Sequence, residues 1–182
     1  MREPAIVPPP TAPPAPQGVL GEALAALERH RATVTFADRI GIADYTAHSR
    51  EFRFHLADVE AGAITKSFLV SHGRGSDPAN RGFAERFSNV PGSNASSRGS
   101  YVTGAEYVGK HGRSRRLHGL EDDNNNAFDR AIVIHGADYV DSAMAENQGR
   151  VGRSLGCFAF EQGEIATILE LLGEGRLLYA AG

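Results

Sequence analysis

The hydrophobic residues near both ends of the chain recur at the spacing of an α-helix. Leu20, Leu24 and Leu27 fall on one face, which predicts a short amphipathic helix. A second helical pattern is formed by Ile165, Ile168, Leu169 and Leu172. The sequence therefore predicts one N-terminal helix and one helix close to the C-terminus.

The central part of the chain carries the patterns of β-strands. Phe52, Phe54 and Leu56 alternate with polar residues, as they do in a strand with one buried face. An apolar stretch at residues 64–70 follows after a turn. Residues 51–70 are therefore predicted to form a β-hairpin.

Two more apolar stretches predict strands in the C-terminal half, and a long polar stretch predicts a loop. Residues 131–134 predict a buried strand with His135 at its C-terminal end, and residues 177–180 predict a last strand. Residues 73–100 are crowded with Gly, Ser, Asn and Pro, and so long a loop in a compact domain is more often functional than idle. The whole pattern indicates a strand-rich domain.

Length and composition indicate one globular domain preceded by a linker. The chain has 182 residues and a formal net charge of −3, with no basic cluster that would favour nucleic acid. A Pro/Ala-rich tract predicts a linker or tail over residues 1–17, which leaves residues 18–182 as a single domain. We find neither an apolar run of transmembrane length nor the pattern of a signal peptide.

Cysteine chemistry is the clearest functional signal. Cys157 is the only cysteine, and it follows a glycine, so it can lie on a tight turn with its backbone N–H exposed. His135 is predicted at a rigid strand end, where an imidazole can serve as a base. A thiol nucleophile, a base and backbone N–H donors are the groups that a cysteine acyl-transferase needs.

The motifs around these two residues resemble a known family. Residues 134–136 read Ile-His-Gly and residues 153–157 read Arg-Ser-Leu-Gly-Cys. Supporting motifs occur in the same order at residues 71–76, 87–89, 92–93, 96–99, 107–112, 117–121, 130–136 and 152–157. Together they resemble the L,D-transpeptidase (YkuD-like) catalytic domain, most closely its murein L,D-transpeptidase subfamily, over roughly residues 36–180.

The resemblance implies a fold and an activity. The fold would be mainly β, of the β-rich α+β kind, with mixed β-sheets and a few helices. The enzyme would form 3→3 cross-links in peptidoglycan through a thioester on Cys157. The partners would be peptidoglycan tetrapeptide stems, with carbapenem β-lactams as inhibitors, in the periplasm or at the cell surface. No metal or cofactor is implied, and water as acceptor would make the protein an L,D-carboxypeptidase or endopeptidase on murein stems.

The resemblance also implies roles for individual residues. His135 matches the catalytic histidine, and the Gly136 carbonyl would hold its ring. Ser154 matches the serine of the nucleophile motif, and Gly156 and Cys157 would supply the N–H groups of the oxyanion hole. Two positions depart from the family pattern, since Leu155 and Ala159 stand where many members carry His and Arg.

Three further residues are candidates for substrate binding. His72 and His118 could contact substrate or merely anchor loops, and Arg153 could bind a stem carboxylate or hold its own loop. His72, His118 and His135 could instead hold the zinc of a cell-wall hydrolase, although this reading leaves Cys157 unexplained. A wall-binding module without catalysis is a third alternative.

One motif is rejected as a nucleotide site. Residues 104–111 nearly spell a phosphate-binding loop, Gly-x-x-x-x-Gly-Lys followed by His. The motif requires Ser or Thr after the lysine to bind magnesium, and a helix after that. His111 stands at that position and the residues that follow it are a poor helix start.

Overall fold

The fold of this protein is described by a computed structural model over residues 17–182. All of the predicted linker except Gln17 therefore lies outside the described residues. The described part contains three helices and eight strands. In chain order these are α1 (Gly18–Arg29), β1 (Arg39–Asp44), β2 (Phe54–Asp58), β3 (Ala63–Phe68), β4 (Gly99–Gly109), β5 (Gly112–Gly119), β6 (Val133–Gly136), α2 (Ser142–Gln148), β7 (Phe158–Phe160), α3 (Ile165–Leu171) and β8 (Leu177–Ala181).

The eight strands form one mixed sheet in the order β3-β2-β1-β8-β4-β5-β6-β7. Strand β1 is parallel to β8 and β6 is parallel to β7, and all other neighbours are antiparallel. The chain after β3 runs along the outer edge of β7, where the Ser71 N–H donates to the Ala159 carbonyl at 3.0 Å. The segment that follows β3 thereby covers part of the outer edge of β7.

Hydrophobic residues on the two faces of the sheet pack against different helices. Strand β1 alternates, so Ile40 and Ile42 pack with α1 in one cluster of buried residues. The opposite face belongs to a larger cluster that contains Leu172 at the end of α3. A Cβ at Gly41 would lie 2.7 Å from a methyl carbon of Leu172, so glycine at this position lets α3 approach the sheet closely.

The fold class predicted from the sequence is confirmed, and so are several elements. The N-terminal helix, the hairpin of β2 and β3, the strand ending near His135, the helix at 165–171 and the last strand all occur where the patterns placed them. Residues 69–98 contain no regular element, in agreement with the predicted loop. The strands β1, β4, β5 and β7 and the short helix α2 were not predicted. None of the helices in the described part of the chain is long and apolar enough to cross a membrane.

Candidate active site

Strand register brings Cys157 and His135 to the same cavity. Ile134 pairs with Phe158 in the parallel ladder of β6 and β7, so Cys157 lies beside Val133 just before β7 begins. Alternate residues of a strand face the same side, which places His135 and Cys157 on one face of the sheet. Both line a cavity of about 550 Å³.

The ring of His135 is held by the residue that follows it. Its Nδ1 lies 2.8 Å from the Gly136 carbonyl oxygen, so Nδ1 carries the proton and Nε2 is the free, basic nitrogen. Gly136 has no room for a side chain, because a Cβ would overlap the Gln162 side chain. The resemblance implied this contact between ring and carbonyl, and the geometry leaves Nε2 available as a proton acceptor.

One hydroxyl group shapes the turn that carries Cys157. Ser154 Oγ donates to the Cys157 carbonyl at 2.7 Å and accepts the Gly156 N–H at 3.1 Å. Gly156 has φ +116°, a conformation that side chains rarely adopt. The expectation that Gly156 supplies an oxyanion-hole N–H does not fit this geometry, because that N–H is bonded within the turn. Of the two N–H groups expected to form the oxyanion hole, that of Cys157 remains a candidate.

Backbone hydrogen bonds fix this turn to the segment after β3. The Ser154 N–H donates to the His72 carbonyl at 2.9 Å, and the Arg74 N–H donates to the Ser154 carbonyl at 2.9 Å. Gly73 and Ser154 form a parallel bridge between these bonds. The position of Cys157 therefore depends on residues 72–74 as well as on β7.

The thiol and the imidazole are both neutral in their resting environment. Burial raises the pKa of the Cys157 thiol, an effect that the Val133 N–H and the cations Lys110 and Arg130 only partly offset. Burial likewise lowers the pKa of His135. The bond to the Gly136 carbonyl raises this pKa in part, and His111 and Lys110 on the neighbouring turn lower it. The thiol donates to the Ala131 carbonyl at 3.4 Å, and within residues 17–182 no hydrogen bond joins it to the His135 ring. Both shifts favour a neutral thiol beside a neutral imidazole over a preformed pair of thiolate and imidazolium.

Four cations line the cavity, and no carboxylate of the described residues lines it with them. We call this set the cationic wall; it consists of Arg74, Lys110, Arg130 and Arg153. Arg130 also holds the long loop, since its guanidinium donates to the Ser88 and Ala95 carbonyls at 2.8 and 2.7 Å. A cavity with this lining favours anionic groups.

The three residues expected to bind substrate occupy different places. Arg153 lines the cavity, and its guanidinium also donates to the Asp77 carbonyl. His118 is exposed and stacks on Phe128 with ring centres 4.8 Å apart, away from the residues that line the cavity. Of these three, only Arg153 is where a substrate in the cavity could reach it.

His72 needs a correction, because it is buried beneath the site. Its side chain is 1% exposed, and both ring nitrogens are bonded. Nδ1 accepts from the Arg53 guanidinium at 2.8 Å, and Nε2–H donates to Asp77 at 3.2 Å. Burial and the adjacent Arg53 lower the pKa of His72 to about 4. The side chain is thus a neutral link in a buried polar chain and does not contact the cavity.

The three histidines of the zinc alternative are not assembled. His72 has no free ring nitrogen, His118 stacks on an aromatic ring, and His135 is bonded to its neighbour's carbonyl. Among the described residues, no group of three or more His, Cys, Asp or Glu side chains is placed to hold a metal ion.

Several residues that complete the cavity were not predicted to be site residues. His111 stacks on His135 with ring centres 4.2 Å apart and planes at 16°. Its neighbour Lys110 joins the cationic wall, and Tyr107 and Tyr139 line the cavity too. Residues 107–112 are among the motifs that carry the resemblance, and Lys110 and His111 also belong to the rejected phosphate-binding motif, but neither motif assigned them a role at the site. Their setting depends on a hairpin that the residue pattern does not reveal.

Comparisons with known proteins agree on one family. The family model of the L,D-transpeptidase catalytic domain matches residues 13–181. An L,D-transpeptidase from Mycobacterium smegmatis superposes with a TM-score of 0.50 at 15% identity, covering 80% of this chain and 59% of that one. L,D-transpeptidase 3 from Mycobacterium tuberculosis gives a TM-score of 0.50 at 12% identity, covering 80% and 61%.

These structural likenesses show the fold, and the chain spans about three fifths of the length of either relative. No curated protein matches the sequence. The family model, however, covers nearly the whole chain, including the segment that follows β3 and the turn that carries Cys157. The chain belongs to the L,D-transpeptidase catalytic domain family.

Proposed function

We propose that this protein is a peptidoglycan L,D-transpeptidase that forms 3→3 cross-links through a thioester on Cys157. One observation carries the proposal. In a chain of this family, the thiol of Cys157 lines the same cavity as His135, whose Nε2 is left free by the bond from Nδ1 to Gly136. A nucleophile and a base that open into one cavity are the core of covalent acyl transfer.

The first half-reaction is the acylation of Cys157. His135 Nε2 accepts the thiol proton while Sγ attacks the carbonyl carbon of the third residue of a tetrapeptide stem. The tetrahedral oxyanion is stabilised by the Cys157 N–H. When the C–N bond breaks, the imidazolium returns its proton to the nitrogen of the leaving D-alanine, and a thioester remains.

The second half-reaction transfers the acyl group. The side-chain amine of a neighbouring stem attacks the thioester carbonyl, and His135 removes a proton from that amine. The C–S bond then breaks and the sulfur recovers a proton from the imidazolium. With water in place of the amine, the same groups would produce a tripeptide, and the protein would be an L,D-carboxypeptidase.

The turn around Cys157 keeps its geometry throughout these steps. Ser154 holds both the Cys157 carbonyl and the Gly156 N–H, and we assign it a positioning role. Because the resting thiol is bonded to the Ala131 carbonyl, bound substrate must draw it away for the attack. This requirement fits a nucleophile that is protected until a stem fills the cavity.

The cationic wall suits a substrate that carries carboxylates. Peptidoglycan stems end in a carboxylate, and Arg153 reaches the cavity while one of its donors is anchored on Asp77. The same charges would attract the carboxylate of a carbapenem, whose strained ring would acylate Cys157. Because stems are found in the cell wall, we place the protein in the periplasm or at the cell surface.

Product analysis tests the proposal. The protein is incubated with purified disaccharide-tetrapeptide, and the products are identified by mass spectrometry. We expect a dimer joined 3→3 together with free D-alanine, and neither product with Cys157→Ala. Conversion to tripeptide alone would identify water as the acceptor. Equal products from the wild type and Cys157→Ala would contradict the assignment of the nucleophile.

A further inference from the structure

The hairpin of β4 and β5 carries a second imidazole into the site. Lys110 and His111 form the two-residue turn between Gly109 and Gly112, which are paired at the tip of the hairpin. The His111 ring lies nearly parallel to that of His135, with centres 4.2 Å apart. This distance is that of direct contact between two stacked rings.

The register of the sheet explains why the turn reaches His135. Strand β5 pairs with β6 so that Ser114 lies opposite His135. The turn lies three residues before Ser114, so it folds over the end of β6. A bulge in β4 between Thr103 and Glu106 adds twist to the hairpin. Gly112, with φ +76°, allows the tight reversal after His111.

The stacked pair is enclosed by groups that are neutral or positive. The turn contributes Lys110, β5 contributes the neutral Ser114, and β7 contributes Ala159. On the side of Gly136, the segment after β7 presents the neutral amide of Gln162. The cavity adds the rest of the cationic wall, two tyrosines and the Cys157 thiol. Since no carboxylate among the described residues lines the cavity, nothing there compensates a second proton on the two rings.

We propose that His111 is a positioning residue for His135, which holds the ring of the base by stacking on its face and forms a coupled pair of imidazoles with it. The Gly136 carbonyl fixes one edge of the His135 ring, and His111 covers one face. Together they confine rotation, so that Nε2 keeps its direction. Two adjacent imidazoles resist holding two protons, so they titrate as a coupled pair. The inference rests on the proposed role of His135 as base, but its first test needs no substrate.

Three variants separate the stack from the charge. His111→Phe keeps an aromatic face over His135 and removes the titrating group, whereas His111→Ala removes both. His118→Phe is the matched control, because His118 is on the same hairpin but stacks on Phe128. His111 is an exposed turn residue, so its replacement leaves the core of the fold untouched. The His135 ring resonance, assigned with His135→Gln, is followed by NMR from pH 4 to pH 9.

The titration has a definite expected result. In the wild type, the His135 resonance should titrate in a broad or two-step transition that reflects coupling. In both His111 variants it should titrate in one step, with a midpoint raised by about half a pH unit. The control should match the wild type. An unchanged midpoint in the His111 variants, or an equal shift in the control, would overturn the inference.

Acylation rates then test the positioning role. The rate of Cys157 acylation by a carbapenem is measured against pH for the same variants. We expect His111→Phe to keep the plateau rate within about twofold, and His111→Ala to lose about tenfold. Equal plateaus in all variants would overturn the role of the stack. A raised His135 midpoint without acylation of the wild type would support the contact between the rings and contradict the proposed function instead.

Discussion

Individual atoms determine the conformation of the turn that carries Cys157. The Ser154 hydroxyl joins both ends of the turn, and Gly156 allows it because its φ of +116° is unsuited to other residues. The close approach of neighbouring backbone makes the requirement stricter. A Cβ at Gly156 would lie 2.8 Å from the Ala95 carbonyl oxygen and 2.7 Å from a methyl carbon of Ile132.

Replacing this glycine should therefore damage both stability and activity. We expect Gly156→Ala to lower the free energy of unfolding by about 2 kcal/mol, as for strained backbone at other sites. Carbapenem acylation of Cys157 should fall at least about tenfold, because the turn must shift. Urea denaturation and mass spectrometry measure the two effects. Gly163→Ala is the control, since a Cβ there meets nothing within 4 Å; equal losses in both variants would contradict this account.

The charge of Lys110 should be visible in the reactivity of the thiol. Burial raises the pKa of Cys157 and Lys110 lowers it, so removing the lysine raises it further. Alkylation by iodoacetamide requires the thiolate. We expect the alkylation rate of the wild type to rise at a higher pH than that of a cysteine peptide. In Lys110→Met it should rise at a higher pH still. Lys66→Met, on β3 away from the cavity, should follow the wild type. Alkylation at the pH of a free peptide would show that the thiol is not buried.

At the scale of elements, a chain of buried polar groups supports the turn that carries Cys157. Arg53 donates to the Val70 carbonyl and to His72, and His72 donates to Asp77. Asp77 in turn accepts the Gly82 N–H at 2.7 Å. The chain fixes the segment after β3, whose backbone holds Ser154. Neutral His72 is the link that accepts on one side and donates on the other, so its protonation breaks the chain.

Acid should therefore destabilise the fold through His72. Its pKa is about 4 in the folded protein against an ordinary value of 6.5, so the unfolded chain binds more protons between these two values. The free energy of unfolding should fall as the pH drops through this window, by on the order of 3 kcal/mol in total. Urea denaturation between pH 7 and pH 4 measures the slope. His72→Gln should be less stable at pH 7 and have a smaller slope, whereas His118→Gln should keep the slope. An undiminished slope in His72→Gln would contradict the prediction.

The elements that the sequence revealed are those with a clear apolar period. The helix at 18–29 buries Ala23 and Leu27 at helical spacing, and β2 alternates. By contrast, α2 buries only Ala145, and it depends on its ends, where Asp141 accepts the Met144 N–H at 2.7 Å. The hairpin of β4 and β5 is mostly polar at its tip, and β7 has three residues. Segments that are this short or this polar cannot show a periodic pattern of apolar residues.

The features of the candidate site fall into two groups. Some are marked by short sequence motifs, and others depend on contacts between distant segments. Cys157 and His135 stand in short motifs, so the resemblance identified them. The bond that removes the Gly156 N–H, the burial of His72 and the stack of His111 all depend on contacts between segments far apart in the sequence. The pairing register of the strands sets these contacts. That register cannot be inferred from the pattern of apolar and polar residues.

At the scale of the whole molecule, charge is distributed unevenly. The chain has a net charge of −3, yet the cavity is lined by four cations. A small cationic cavity on an acidic protein attracts anionic ligands locally, and salt screens this attraction. We therefore expect the cavity to attract small anionic ligands, such as those with carboxylates, despite the negative net charge of the chain.

Ionic strength should therefore separate anionic from neutral ligands. We expect the acylation rate of Cys157 by a carbapenem to fall about threefold or more between 0.02 and 0.5 M salt. The methyl ester of the same compound should react more slowly and show little dependence on salt. Arg153→Met should weaken the salt dependence of the acid. An equal response of acid and ester would show that the cationic wall does not contribute.

The most direct test of the central claim is intact-mass spectrometry after incubation with a carbapenem. Wild type, Cys157→Ala and His135→Gln are compared under the same conditions. We predict one adduct on the wild type, none on Cys157→Ala, and an adduct that forms much more slowly on His135→Gln. An adduct on Cys157→Ala, or none on the wild type, would contradict the claim that Cys157 is the nucleophile of this site.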